Sequence, residues 1–367
     1  RWAGSVLLVK PMTKNQSNDP RIHNPRRYQT VGLCIVFAII ALFFIARYIL
    51  APSSPYLIEN LSSPRGLTPL GGGILLVAEG GAGRLLVINE QGNSEVLYEG
   101  IPYLTNGPEG APVGVSAAIQ HNETYYYTVG EARAKEFREV YSLVPGHTPQ
   151  PLTGQDPIGL NPPNPLTNPY DLISMKSGGL LVSDPGANAI WNVSFSGEIK
   201  LYATIESVDY ATEIGPENTQ AVPTGFSYGP DGAIYVATLT GYPFPKQMAN
   251  IMRLNDDNRD GDALDPGETS IYAQGFSAAT DVTFDANGRM FITEYSQSML
   301  ELSEIGFRDS HLFPGRLLLW DAGEITVIAS DLVSPTALTL MGNHIYVSEE
   351  FAGRVRMIEI EPTQSNP

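Results

Sequence analysis

The chain contains little cysteine, little histidine and few basic residues. It has one cysteine, Cys34, and five histidines among 367 residues. No disulfide can therefore form within the chain, and stability must come from packing. Aspartate and glutamate outnumber lysine and arginine by 39 to 22, which leaves a formal net charge of −17. A surface of that sign repels nucleic acid, so we expect no nucleic-acid partner.

The motifs of several common catalytic centres are also missing. No histidine has the spacing of a metal motif such as HExxH, and neither a GxSxG sequence nor a phosphate-binding glycine loop occurs. The histidines fall in the amino-terminal segment or in predicted turns and loops, where a lone histidine is usually solvated. They are His23, His121, His147, His311 and His344. The sequence therefore assigns no catalytic residue and no organic cofactor.

Long hydrophobic runs are absent with one exception, VGLCIVFAIIALFFIARYIL at residues 31–50. Twenty helical residues at 1.5 Å each cross a hydrocarbon core of about 30 Å. The preceding basic tail, residues 1–30, favours a cytoplasmic amino terminus. We expect a single-pass protein of the cell membrane, with a linker at residues 51–55 and an extracellular or periplasmic domain beyond it. A cleaved signal peptide is the alternative, but no small-x-small site follows Leu50.

A repeated phrase dominates the rest of the chain and is most complete in AVPTGFSYGPDGAIYVATLTG, residues 221–241. Pro230, Asp231 and Gly232 suit a tight reversal between two strands. The phrase occurs six times, and most copies continue with a third and a fourth strand. Four antiparallel strands at a period of about 50 residues predict an all-β fold, a six-bladed β-propeller over residues 56–361.

Closure of the ring follows from the two ends of the repeat region. After the predicted third strand at 354–359, no fourth strand precedes the tail at residues 362–367. The segment at 56–61, YLIENL, matches the fourth strand at 327–332, VIASDL. We therefore expect the N-terminal strand to complete the last blade, which removes the open edge of the ring.

Long connections collect on one face of the predicted propeller, here called the loop-rich face. It carries the connections between blades and the loops from second to third strands, a typical place for function. Six acidic residues at strand ends share that face, and packed carboxylates need protons or cations to coexist. They form a candidate site for a metal or polar ligand at the channel mouth; the alternative is a solvated rim in which each acid caps a turn. These residues are Glu79, Asp171, Asp184, Asp281, Glu294 and Glu349.

A second acidic cluster, DDNRDGDALDPGE at residues 256–268, resembles the first half of a calcium loop. Oxygen ligands alternate at its first, third and fifth positions, and Gly261 follows where the loop turns. The fit is imperfect, because Glu268 falls one place late and the flanking segments are strands. The alternative is an acidic surface turn. The predicted Ca²⁺ ligands are Asp256, Asn258, Asp260, Asp262, Asp265 and Glu268.

Four segments carry a resemblance to a known family. The sequence AVPTGFSYGPDGAIYVATLTGYPFP at 221–245 resembles the ScyD/ScyE family of six-bladed propellers, which is similar to NHL-repeat proteins. The shorter segments NPYDL at 168–172, SDPGANAI at 183–190 and SSPRGL at 62–67 agree with it. The resemblance covers about residues 56–361. It implies the propeller fold and an extracytoplasmic setting.

The sequence favours a membrane-anchored propeller that acts as a binding or assembly module, such as an accessory subunit of a membrane protein complex. Its expected partners are the membrane and other membrane proteins. The alternative is a calcium-dependent propeller enzyme, similar to lactonases or sugar dehydrogenases, that acts on a small molecule at the channel mouth. A closed pocket with converging polar groups would favour the enzyme.

Overall fold

The computed structural model describes residues 54–107, 111–132, 136–154, 165–209 and 216–361. The predicted membrane span at 31–50 and the tails at 1–30 and 362–367 lie outside these ranges. Within the ranges that are described, no helix is both long enough and apolar enough to span a bilayer.

The described residues form six antiparallel sheets of four strands, one for each blade, and a separate two-stranded ribbon. This confirms the predicted all-β, six-bladed propeller. In blades 1 to 3 the strands are β2 (Pro64–Gly71), β3 (Ile74–Glu79), β4 (Arg84–Asn89), β5 (Ser94–Glu99), β6 (Val115–His121), β7 (Thr124–Val129), β8 (Glu139–Leu143), β9 (Gln150–Pro151), β10 (Leu172–Ser174), β11 (Leu180–Asp184), β12 (Ala189–Val193) and β13 (Ile199–Thr204).

The ribbon follows blade 3 and consists of β14 (Val208–Asp209) and β15 (Asn218–Thr219). Blades 4 to 6 contain β16 (Pro223–Tyr228), β17 (Ile234–Thr238), β18 (Ala249–Leu254), β19 (Thr269–Phe276), β20 (Ala279–Phe284), β21 (Met290–Glu294), β22 (Gly315–Asp321), β23 (Glu324–Leu332), β24 (Pro335–Met341), β25 (His344–Glu349), β26 (Arg354–Glu359) and β1 (Tyr56–Ile58).

The last blade has the strand order β1-β26-β25-β24, so the N-terminal strand does close the ring. Tyr56 lies opposite Arg356 in an antiparallel pair, and the Arg354 guanidinium lies 4.1 Å from the centre of the Tyr56 ring. The strand is shorter than the sequence suggested. Asn60 and Ser63 have positive φ angles of 65° and 52°, which turn the chain away from the sheet.

Each interface between neighbouring blades contains its own hydrophobic core. Apolar side chains from both blades contribute to all six cores, and the core between blades 6 and 1 includes Leu57 of β1. The alternating pattern of each strand places one set of residues in the core on each side of the sheet. Because every blade buries both faces against its neighbours, the ring depends on all six blades.

Blade 5 carries a helical insertion, residues 299–312, which the repeat did not predict. Its helix α1 (Met299–Ile305) buries Met299 and Leu302, one turn apart, and ends at Gly306, whose φ is 105°. A 3-10 helix (Phe307–Leu312) follows. Met299, Leu302 and Phe307 pack against Tyr295, so the insertion covers part of the loop-rich face.

Candidate functional site

The first strands of the blades surround a central channel that contains a cavity of about 190 Å³. First strands run from the loop-rich face toward the plain face, the opposite face, which carries the turns inside each hairpin. Alternate residues line the cavity in two levels. The upper ring, nearer the loop-rich face, is Gly66, Ala117, Asp171, Gly225, Asp281 and Ala337; the lower ring is Thr68, Ile119, Ile173, Ser227, Thr283 and Thr339.

The strand register corrects one alignment of the repeat. Val115 lies opposite Val129, as Pro64 lies opposite Glu79 in blade 1. In blade 2 the repeat therefore begins at Val115, three residues later than the phrase at Pro112 suggests. The upper ring consequently contains Ala117 in this blade.

Two aspartates interrupt an otherwise small-residue ring. Four upper-ring positions hold glycine or alanine, whereas blades 3 and 5 place Asp171 and Asp281 there. A Cβ atom on Gly225, in the blade between them, would lie 2.3 Å from the Asp281 Oδ1 atom. Glycine is therefore required at position 225, because it leaves room for the Asp281 carboxylate.

Backbone amides of two blades hold each of these carboxylates. The Asp171 side chain accepts hydrogen bonds from Leu172 N at 2.8 Å and from Phe226 N, in the next blade, at 3.1 Å. Asp281 does the same with Val282 N and Leu338 N, both at 2.8 Å. The two side chains are therefore fixed by the sheets rather than by flexible loops.

Burial perturbs the protonation of both carboxyl groups. It raises the pKa of Asp171 to about 7, although the two backbone N–H groups oppose the shift. The pKa of Asp281 is raised well above its ordinary value, first by burial and then by the charge of Asp171. The pair therefore retains a proton at neutral pH, so one carboxyl can act as an acid and the other as a base.

The residue before each upper-ring position differs between the two halves of the ring. In blades 4 to 6 it is a threonine whose hydroxyl donates to a carbonyl of the next blade: Thr224 to Ala279 O at 3.1 Å, Thr280 to Pro335 O at 2.9 Å and Thr336 to Pro64 O at 3.4 Å. In blades 1 to 3 the aligned residues are Arg65, Ser116 and Tyr170. The first half of the ring therefore departs from the repeat, and one of the departures, Tyr170, directly precedes Asp171.

An ion pair and two tyrosines form the roof of the channel at its loop-rich end. Arg65 Nη2 lies 2.8 Å from Glu350 Oε1, which also accepts a 2.7 Å hydrogen bond from the Ser63 hydroxyl. Burial opposes the charge of Arg65, but Glu350, Tyr170 and Tyr295 together outweigh that effect, and the pKa of Arg65 is raised. Tyr170 donates to Thr336 O at 3.3 Å, and burial raises the pKa of Tyr170 and of Tyr295.

The other four predicted channel-mouth acids lie at the ends of second strands and do not line the cavity. Each accepts a hydrogen bond from a backbone N–H of the preceding interblade connection: Glu79 from Ser62, Asp184 from Thr167, Glu294 from Ser277 and Glu349 from Val333. Three of them also pair with the arginine that begins or adjoins the third strand. All four are buried carboxylates that link an interblade connection to the end of a second strand, and three of them also link it to the third strand.

The acidic loop at 256–268 is held by hydrogen bonds to its own backbone. Both Asp256 carboxylate oxygens accept N–H groups, from Asp260 and Gly261, at 3.0 Å. The Asn258 side-chain amide donates to Asp260 at 3.0 Å and to Asp265 at 2.6 Å. Glu268 is buried and also accepts backbone hydrogen bonds. Among the described residues, no group of three or more His, Cys, Asp or Glu side chains has an arrangement that could hold a metal ion.

Sequence reasoning identified both channel aspartates but not the roof. Arg65 and Glu350 are 285 residues apart and come together only when the ring closes. A signal was available, since Arg65 and Tyr170 stand where other copies have threonine. Comparison of the copies position by position could have found both residues.

Comparison with known proteins supports the architecture. A gluconolactonase from Xanthomonas campestris superposes with a TM-score of 0.55 at 13% identity, over 83% of this chain and 88% of that one. A pyrroloquinoline quinone-bound aldose sugar dehydrogenase from Streptomyces coelicolor gives 0.53 at 12% identity, over 83% and 96%. A virginiamycin B lyase from Staphylococcus aureus gives 0.50 at 13%, over 83% and 98%. At such identities the likeness shows the fold alone.

No family model matches the chain, and neither does any curated protein. The resemblance to the ScyD/ScyE family therefore stays a prediction.

Proposed function

We propose that the protein is an enzyme that acts on a small molecule bound in the central channel, with Asp171 and Asp281 as its acid and base. The single observation that carries the proposal is the pair of carboxyl groups, buried Asp281 and half-buried Asp171, that lines the channel cavity and retains a proton near pH 7. The named structural neighbours are enzymes, which favours this alternative over an assembly module.

Hydrolysis of a small cyclic ester fits the two groups. Asp281, whose pKa is raised by burial and further by the charge of Asp171, keeps the proton and is the acid. Asp171 as carboxylate takes a proton from water as the water oxygen bonds to the carbonyl carbon. Asp281 then gives its proton to the ring oxygen as the carbon–oxygen bond breaks. The backbone N–H groups of Phe226 and Leu338 keep both carboxyls oriented during these transfers.

Turnover of glucono-δ-lactone, followed by acid release in a pH-stat, tests this proposal. Asp171→Asn should lower kcat/KM by about 100- to 10,000-fold, the usual contribution of a general base. Asp331→Asn, a matched change at an exposed aspartate, should leave turnover unchanged. Equal turnover by the parent and Asp171→Asn would remove Asp171 from the mechanism.

We also propose that the 256–268 loop binds Ca²⁺, which deepens the sequence prediction. The Asn258 amide bridges two carboxylates, at the kind of position where a cation would relieve their repulsion. Asp260 and Asp265 would be ligands, whereas Glu268 would first have to release backbone hydrogen bonds. Calorimetry should show calcium uptake by the parent and none by the double variant Asp260→Asn with Asp265→Asn. Equal heats from both proteins would refute the site.

Membrane attachment through residues 31–50, with the propeller extracellular or periplasmic, also stays a proposal. Its support is the length and apolarity of that segment and the basic residues before it. The full chain should remain with the membrane fraction after alkaline carbonate extraction, whereas a chain that starts at Ser54 should be released. Release of both chains would contradict the anchor. Co-purification under mild detergent would identify any membrane-protein partner.

A further inference from the structure

The exposure of the residues that line the channel increases from the loop-rich end to the plain end. At the loop-rich ends of the first strands, Ser116, Thr224, Thr280 and Thr336 are buried. The upper ring is mixed, since Gly66 and Asp171 are half-buried, and in the lower ring Thr68, Ser227 and Thr283 are half-buried whereas Thr339 is buried. Pro69, near the plain-face end of β2, lines the same cavity and is exposed. The cavity therefore reaches solvent on the plain face.

The loop-rich end of the channel is covered. Glu350 and Tyr295 are 4% and 7% exposed, and Tyr295 packs beneath the helical insertion. The insertion also reaches toward blade 1, because Arg308 Nη2 donates to Thr105 O at 2.9 Å. The elaborated face, where function was expected from the sequence, is therefore the less accessible end of this channel.

The lower ring has one polar and one apolar wall. Ser227, Thr283 and Thr339 occupy equivalent positions in three successive blades, and Ile119 and Ile173 lie on the other side. The Ser227 Oγ atom is buried and has no hydrogen-bond partner within the described part of the chain. A buried hydroxyl without a partner destabilises the protein, so a ligand that hydrogen-bonds to the Ser227 hydroxyl would relieve that cost.

The fourth hydroxyl of the lower ring, that of Thr68, differs from the Ser227 hydroxyl because it has a partner. Thr68 Oγ1 donates to Ala118 O at 2.7 Å in the neighbouring blade, so this hydroxyl is already hydrogen-bonded within the protein. The Ser227 hydroxyl, which has no partner in the described part of the chain, lies on the side of blades 4 to 6 together with Thr283 and Thr339.

We propose that the ligand enters this channel from the plain face, and that Ser227, Thr283 and Thr339 determine specificity by hydrogen-bonding it on the way to the two aspartates. The inference rests on the proposed function for the identity of the site, but not for the route. The ligand class is a small molecule that carries hydroxyl groups, has an apolar face for the isoleucines, and is uncharged or positively charged. Anions are disfavoured because a carboxylate lies at the end of the path.

Cysteine labelling in the full chain tests the route without any assumption about catalysis. The background is Cys34→Ser, and the probe position is Ser227→Cys. Thr293→Cys, which is fully buried, and Ser196→Cys, which is exposed, give the slow and fast reference rates. A small neutral methanethiosulfonate should label position 227 much faster than position 293. A rate equal to that at 293 would overturn the plain-face opening.

Variants that weaken the attachment of the helical insertion distinguish entry from the plain face from entry from the loop-rich face. Arg308→Ala, combined with Glu301→Ala to remove the Lys246 ion pair, should weaken the attachment of the insertion. If the ligand enters from the plain face, these changes leave the labelling rate at Ser227→Cys unaltered. A several-fold faster rate would show entry from the loop-rich face and overturn the proposal. Thermal melting of each variant establishes that the propeller is folded.

The same labelled position reports charge and hydroxyl preference. A cationic methanethiosulfonate should react about tenfold faster than an anionic one, and Asp171→Asn with Asp281→Asn should abolish the difference. D-glucose should slow labelling in the parent background but not when Thr283→Val and Thr339→Val are present. Equal cationic and anionic rates, or equal protection in both backgrounds, would refute the assigned specificity. If labelling behaves as expected but glucono-δ-lactone is not turned over, the proposed reaction fails and the route stands.

Discussion

At the scale of single residues, the chemistry of the channel arises from a few exchanges within one repeated backbone position. Glycine or alanine occupies the upper ring in four blades and leaves no titratable group there. An aspartate in the same position accepts a hydrogen bond from a backbone N–H of the next blade, as Asp171 does from Phe226 N. The scaffold thus needs no new loop to hold a carboxylate, and burial alone shifts its protonation toward neutral pH.

The pH dependence of stability should report the Asp171 proton. Its pKa is about 7 in the folded protein against 3.8 as the reference. Between these values folded Asp171 binds more protons than unfolded Asp171, so its contribution to stability is complete below about pH 4 and is lost as pH rises through about 7. Asp171→Asn should reduce the loss of unfolding free energy between pH 4 and pH 7 by roughly 2 kcal/mol. This figure is smaller than the full pKa shift would give, because Asp171 is partly exposed. Urea midpoints measured across this range, with Asp331→Asn as control, check it; an unchanged slope in Asp171→Asn would contradict the shift.

Residue identities were predictable only where the repeat exposes them. Asp171 and Asp281 follow directly from their place at the start of first strands. Glu350 gives no such signal, because it is one of many acids and its partner Arg65 is distant in sequence. The start of the repeat in blade 2 was not predictable either. The Pro-Val-Gly sequence at 112–114 resembles the start of a first strand, but the strand begins at Val115.

At the scale of elements, strand ends are fastened by buried carboxylates. Glu349, at the end of β25, accepts Val333 N from the connection that precedes the blade and also pairs with Arg354 of β26 at 2.7 Å. The sequence showed an acid at each such end and left open whether it served a ligand or a turn. The hydrogen bonds around each acid show that it caps a turn. These bonds come from interblade connections of different lengths, which the repeat in the sequence does not describe.

Removing one of these caps should destabilise its blade. Glu349→Ala leaves the Arg354 charge and the Val333 N–H without their acceptor in a buried site, which costs about 3 kcal/mol. The melting temperature should fall accordingly. Glu359→Ala, at the exposed end of β26, is the matched control and should change little. Similar melting temperatures for both variants would show that the cap contributes nothing.

The helical insertion shows the limit of reading elements from a repeat. Its helix is seven residues long, too short for a clear 3.6-residue periodicity, and it lies between two strands of one blade. Burial of Met299 and Leu302 against Tyr295 stabilises it, so its structure depends on tertiary packing. The sequence predicted a long loop there and could not predict that it covers the roof of the channel.

At the scale of the whole molecule, the ring joins segments from both ends of the described chain. Blade 6 contains three strands from the carboxyl-terminal end and β1 from the other, and the core between blades 6 and 1 includes Leu57. The sequence predicted this closure because the match between 56–61 and 327–332 is local and strong. The Arg65–Glu350 pair spans the same junction, so closure also assembles part of the channel roof.

Deleting β1 should therefore affect both stability and the channel. Two chains are compared, one beginning at Ser54 and one beginning at Glu59, which differ only by β1 and two adjoining residues. The shorter chain loses the pairing of Tyr56 with Arg356 and the burial of Leu57, and it exposes the edge of β26. We expect a lower melting temperature and concentration-dependent self-association, because an unpaired edge is a template for another strand. We also expect faster labelling of Thr293→Cys as the ring opens. Calorimetry, analytical ultracentrifugation and thiol labelling measure the three effects. Equal melting temperatures and monomeric behaviour in both chains would mean that five blades and an incomplete sixth hold the ring without the N-terminal strand.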